Sequence, residues 1–271
     1  MGSSSRPKPG RPPTQTEREL FLGIIEKFKA WRQSQREGKI SRAAKTAKNP
    51  KAIREDRWAA LEVLVDADDP AHSVPALLQR FEFSLENGIA DAKEKELAVS
   101  GITKFGDKAV PMVMEHLVTT TRIAWPIKIL RALGSEPLVL DGLKKALNFG
   151  ETTFDQAQTD KNYDLLCHLI EHKLGSFARD LRRFLEDPDE RVRFAAAEVM
   201  IEQNDSDLVP MLEGFLMDPT VENIRIRQAV LRAFVERQWT LTQPERIPNG
   251  EVIPGVYVTG AKTLAVRGQH S

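Results

Sequence analysis

The sequence predicts an all-α chain, an α-solenoid of about five helical hairpins with a small C-terminal cap resembling a β-hairpin. Three observations predict it. From Lys51 to about residue 238, apolar residues recur at helical spacing in short segments, each ended by a breaker. Recognisable phrases return with a period of 31–36 residues. No segment before residue 250 alternates apolar and polar residues as a half-buried strand would.

The chain opens on a polar stretch rich in proline and serine, residues 1–16, expected to be a disordered tail without the apolar core of a secretory signal. A basic helical arm is expected over 17–50, starting near Thr16, whose hydroxyl stands three residues before Glu19 as in a capping box. Leu20, Ile24, Ile25 and Phe28 give it one apolar face, with Trp31 extending that face. Residues 33–51 hold one large apolar residue, Ile40, and read either as a solvated helix or as a linker ended by Asn49-Pro50.

The repeats are expected over 51–239, with helices near 51–66, 73–86, 92–105, 108–119, 124–134, 136–148, 160–174, 176–186, 189–203, 206–217 and 221–238. Val74-Pro75, Val110-Pro111 and Val209-Pro210 each read as a helix start, because proline in a first turn sacrifices no hydrogen bond. Beyond Trp239, residues 240–271 are rich in Pro and Gly. Two β-prone runs there, 256–259 and 263–266, suggest a hairpin covering the end of the last repeat.

The second repeated phrase is sharper. Leu185-Glu186-Asp187-Pro188 returns as Leu216-Met217-Asp218-Pro219, and each copy leads into an arginine-bearing helix, Arg191-Val192-Arg193 or Arg225-Ile226-Arg227. Ala195, Ala196 and Ala197 permit close helix approach, and Arg193 is placed to reach the carboxylates of Asp187 and Asp189. The run Asp187 to Val199 resembles the signature of the HEAT-repeat family, armadillo-like α-solenoids common in bacterial proteins, and residues 218–230 resemble a second copy. The resemblance implies a fold, and with it a surface for protein–protein contact; HEAT arrays serve many roles, so it implies no particular chemistry.

Charge is unevenly placed. Residues 1–57 hold fifteen Lys and Arg against six Asp and Glu, a net of +9; the whole chain is neutral, so the remainder carries −9. Arg36, Lys39, Arg42, Lys45, Lys48 and Lys51 follow one another by three, and a three-residue step falls ~60° short of a helical turn, so the charges spiral round the rod. Such a rod suits phosphate contact without base reading. Ahead of it, Gly10-Arg11-Pro12 resembles the core of an AT-hook, although Pro9 stands where a basic residue belongs.

Motifs for catalysis carry less. His168-Leu169-Ile170-Glu171-His172 matches the H-x-x-E-H pattern of inverted zinc peptidases, but those enzymes need a further glutamate ligand and a larger α/β fold. Glu115-His116 and Glu171-His172 reverse the His-Glu order of HEAT-type di-iron hydroxylases and are two copies only. Cys167, the one cysteine, excludes an intrachain disulfide and reads as a small core residue. Neither a metal nor a cofactor is expected.

These readings lead to a non-catalytic cytoplasmic scaffold or adaptor that binds a protein partner through its repeats, with Lys144, Lys145, Arg182, Arg183 and Glu213 as contacts. Trp125 is read equally as core or contact. The alternative is a nucleic-acid-associated protein tethered through Arg36, Lys39, Arg42, Lys45, Lys48 and Lys51; a HEAT-type lyase or metal-dependent enzyme stands behind it. No membrane contact is expected, since no apolar run reaches the ~20 residues of a spanning helix.

Overall fold

The computed structural model describes residues 15–134, 136–147, 155–217 and 221–267, with the side chains of 15–25, 221 and 248 left aside. The expected tail up to residue 14 and the AT-hook-like tripeptide therefore lie outside the described residues, as does the side chain of Thr16, which with Gln15 belongs to the first helix. The chain is mostly helical, ends in a small antiparallel sheet, and divides into two compact units, Met1–Ala109 and Val110–Ser271. Among the described residues no helix is long and apolar enough to cross a membrane.

The first unit begins with a long helix, α1 (Gln15–Ala47). Residues 33–47, left open between helix and linker by the sequence, continue it. Ile40, Ala43 and Ala47 are buried, and through them its C-terminal part packs on α2 (Arg54–Asp66) and α3 (Pro70–Leu78). α3 starts five residues before Pro75. Asp69 caps it by accepting from the backbone N–H of His72, so Pro75 falls inside the helix instead of opening it. A 3-10 turn, Gln79–Glu82, leads to α4 (Gly88–Thr103), which Asn87 caps at Ala90.

Leu61, Leu64, Leu77, Leu78, Phe81, Ala98 and Ile102 form the core of this unit. Gly101 lets α4 approach: a Cβ there would lie 2.5 Å from Val65 Cγ2 and 3.1 Å from Leu77 Cδ1. Polar side chains fasten the same elements. The Glu94 carboxylate, 1% exposed, accepts from Arg57 Nε at 2.8 Å, Arg57 Nη2 at 2.9 Å and Arg80 Nε at 2.7 Å. Arg80 Nη2 also donates to Asp91 at 2.7 Å, and Asp91 accepts in turn from Lys95 and from the Leu85 N–H.

The second unit carries α5 (Val110–Thr119), α6 (Ala124–Leu133), α7 (Glu136–Ala146), α8 (Gln156–Leu169), α9 (Glu190–Gln203), α10 (Val209–Glu213) and α11 (Ile224–Arg237). Neighbours pack in order: α5, α6 and α7 on one another, α7 on α8, α8 on α9, α9 on α11. Between α8 and α9 the expected helix forms over Gly175–Glu186, but as 3-10 turns. Three of its four buried residues, Ala178, Leu181 and Phe184, are three apart, a spacing that lines one face at three residues per turn and drifts off it at 3.6. The helix expected over 206–217 is likewise divided, α10 being flanked by 3-10 turns at Ser206–Leu208 and Gly214–Leu216.

Caps follow the sequence closely. Asp155, Asp189 and Asp205 each accept from an N–H two residues on, and Asn204 and Gln238 end α9 and α11 in the left-handed region. The C-terminal segment forms three strands: β1 (Glu251–Ile253), β2 (Val256–Val258) and β3 (Leu264–Val266). β2 and β3 pair with Val256 opposite Val266 and Val258 opposite Leu264, as the hairpin reading expected; β1, which that reading missed, pairs with the other edge of β2. Three-residue strands are too short to show the alternation by which sequence reveals them. β3 lies against α11.

Candidate functional site

Two arginines in each repeated phrase have separate tasks. Arg191 reaches back to Asp160 on α8 at 2.8 Å, and Arg225 faces Glu190 at 3.9 Å. Arg193 and Arg227 instead join their own turn to the next segment. Arg193 donates to the carbonyls of Asp187 and Pro188 and to Asn223 Oδ1. Arg227 donates to Leu216 O and Val252 O. The expected Arg193 pairing with the carboxylates of Asp187 and Asp189 is corrected: those carboxylates cap the turn, Asp187 at the Asp189 N–H and Asp189 at the Arg191 N–H. In the first unit Arg57 likewise donates to Ala52 O and onward to Glu94.

The residues expected to offer contacts on the repeats are largely occupied. Lys144 Nζ sits 4.9 Å over the Phe177 ring, Lys145 pairs with Asp141 at 2.8 Å, and the Arg183 guanidinium lies 5.3 Å over Phe184. Arg182 is exposed. Trp125 is half-buried, with Lys128 Nζ 4.8 Å over its ring. Glu213 is corrected outright: it is buried, and its carboxylate accepts from the N–H groups of Thr242 and Gln243 and from the Thr242 hydroxyl.

The metal and nucleophile readings separate as well. α8 ends at Leu169, so His168 and His172 do not share a helical face; His172 lies in the turn beyond, where Gln203 donates to its carbonyl. Burial, aided by Arg131, pushes His168 below its ordinary pKa. Among the described residues no three His, Cys, Asp or Glu side chains gather as metal ligands. Cys167 is half-buried, not fully enclosed, and burial pushes its thiol up, away from the thiolate a nucleophile needs. Lys161, almost wholly buried and held below its ordinary pKa by that burial, donates to Val118 O and so serves the C-terminal end of α5.

A run of cations along α1 and just beyond it is open to solvent. Lys27, Lys29, Arg32, Arg36, Lys39, Arg42, Lys45, Lys48 and Lys51 are all exposed, and among the described residues none of the nine joins an ion pair. The six arm residues singled out by sequence are thus all accessible, but they wind round α1 and past its end rather than share one face. Sequence reasoning missed the aromatic part. Phe28 and Trp31, read there as an apolar face, are 50% and 57% exposed, with ring centroids 5.8 Å apart and planes 25° apart, and the Arg32 guanidinium lies 4.6 Å over Phe28. The signal available in the sequence was their company: each is flanked by Lys or Arg rather than by core-forming residues.

Two hollows border this helix. One, of about 520 Å³, is lined by Lys29, Trp31, Arg32, Gln33, Gln35 and Arg36. The other, of about 720 Å³, runs between α1 and the start of α3, with Arg36 and Lys39 on one wall and Glu62, Asp66, Asp68 and Asp69 among the residues opposite. No protein-family model matches the chain, and no curated protein or solved structure matches it either.

Proposed function

We propose that this protein is a non-catalytic adaptor built of HEAT-type helical repeats, stacked within each unit as in an α-solenoid, that captures an anionic partner on α1. The observation that carries the reading is the set of nine exposed cations, seven on α1 and Lys48 and Lys51 just beyond it, in a chain whose other arginines are largely engaged. Arg57, Arg80, Arg191, Arg193, Arg227 and Arg237 each bind groups of neighbouring segments. The repeat reading is supported by the arginines at corresponding places in the two phrases and by the order of packing from α8 through α9 to α11.

Heparin serves as a generic polyanion for the test. The full chain should be retained on it and released by salt. Lys39→Glu combined with Arg42→Glu and Lys45→Glu should elute at markedly lower salt, while Arg182→Glu should not move. Identical elution of wild type and the triple variant would remove α1 from the binding surface. Deleting residues 1–57 is the poorer experiment, because Ile40, Ala43, Ala47 and Arg57 belong to the first unit's core.

A further inference from the structure

We infer that the partner of α1 is single-stranded nucleic acid, bound with a base stacked on Trp31 and phosphates on the cations that wind along the helix; this rests on the anionic-partner reading above and narrows it. A helix face with half-exposed aromatic rings could serve a second copy of the chain, a membrane, an acidic protein or a nucleic acid. A second copy would bring Lys27, Lys29, Arg32 and Arg36 against their own equivalents, at a cost in like-charge repulsion. A membrane needs an apolar face segregated from a charged one. On α1 the cations spiral round the helix, and its C-terminal part is committed to α2 and α3. An anionic macromolecule remains.

The lining of the smaller hollow chooses among anions. Its six residues are three cations, two glutamines and one tryptophan, with no carboxylate. These supply the three contacts a nucleotide asks for: a flat ring for the base, amides for its edge, and Lys29, Arg32 and Arg36 for phosphate. An acidic protein would use the cations and leave the rings in water. At 100° per residue, Phe28, Trp31, Gln35, Arg42 and Lys45 fall on one side of α1, turned away from the buried Ile40, Ala43 and Ala47, with Lys39 and Arg32 at its margin towards Ala43. That track is ~26 Å long at 1.5 Å per residue, room for several nucleotides beyond the stacked one.

Two features favour a single strand over a duplex. Bases in a duplex are already stacked on one another, so an exposed indole gains nothing from them without unpairing. Beside the track, Glu62, Asp66, Asp68 and Asp69 form the far wall of the larger groove and would face the second strand's phosphates.

The test measures binding of the full chain to a labelled oligothymidine, to a duplex of equal length and to a polyglutamate peptide, between about 50 and about 200 mM salt. The single strand should bind at least roughly tenfold tighter than either competitor. Trp31→Ala should weaken it roughly tenfold, and Trp31→Phe should restore most of the loss, since stacking needs a ring more than an indole. Trp31 is exposed, so circular dichroism of these variants should match wild type. Equal or tighter duplex binding, preference for the peptide, or an unaltered Trp31→Ala variant overturns the inference while leaving an anion-binding α1. Failure to bind all three, and heparin as well, defeats the broader reading.

Discussion

Arg193 Nε donates to Oδ1 of Asn223 at 3.0 Å, thirty residues further along the chain, while its Nη1 holds the carbonyls of Asp187 and Pro188. One guanidinium thus fastens the turn before α9 to the turn before α11. A lysine has the charge but not the planar fork. Arg193→Lys should lower the unfolding free energy of the second unit by about 1–3 kcal/mol, read from the urea midpoint. An unmoved midpoint would show that the bridge is idle.

Glu94 is the carboxylate that Arg57 and Arg80 share, and all three side chains are almost wholly buried. Glu94→Gln keeps the shape and removes the charge that both guanidinia face. A loss of about 3–5 kcal/mol is expected, because buried Arg57 loses its counter-ion while Arg80 keeps only Asp91. Denaturant unfolding of the variant beside Arg182→Ala, an exposed control, provides the comparison.

Two glycines should respond to alanine with opposite signs. Gly38 lies within α1 with nothing near its missing Cβ, so Gly38→Ala should stabilise by up to ~1 kcal/mol through helix propensity. Gly101→Ala gains the same propensity but drives a methyl against Val65 and Leu77, and overpacking costs about 1–3 kcal/mol. Thermal melts should rise for the first and fall for the second.

Lys161 gives a pH signature. Burial holds its folded pKa below the ordinary 10.5, so in the alkaline range the unfolded chain binds that proton more firmly. Stability contributed at this site therefore rises with pH through the window between the folded value and 10.5. Urea midpoints of wild type and Lys161→Met, compared from about pH 8 to about pH 10, should shift in favour of wild type as pH rises. A constant difference would mean that the ammonium is solvated.

Much of the helical layout is legible in local chemistry. The start of α9 falls beside Asp189 as expected, and the breakers between segments mark most of the ends, but Asn87 and Asp155 begin α4 and α8 four residues before the expected 92 and 160. Where the reading failed, a second effect outweighed the visible one. Pro75 was a plausible first-turn proline, but the Asp69 cap begins α3 earlier. The continuation of α1 was obscured because two of its three buried contacts, Ala43 and Ala47, are too small to register as an apolar stripe. The candidate site was half visible. The cations recur every three residues and are exposed as a rod of charge must be, whereas exposure of Phe28 and Trp31 depends on where burial of α1 begins, and among its described side chains the first buried one is Ile40. The Arg57–Glu94 clasp spans 37 residues and leaves no local trace.

The Glu213 clasp bears on how the protein is made. During synthesis α10 leaves the ribosome well before its partners, since Gln243 follows Glu213 by thirty residues. At about 5–20 residues per second, that carboxylate waits some seconds in water before Thr242 and Gln243 arrive to enclose it. A chain cut between α11 and Thr242 lacks all three donors, so α10 is left with a carboxylate that has to stay in water.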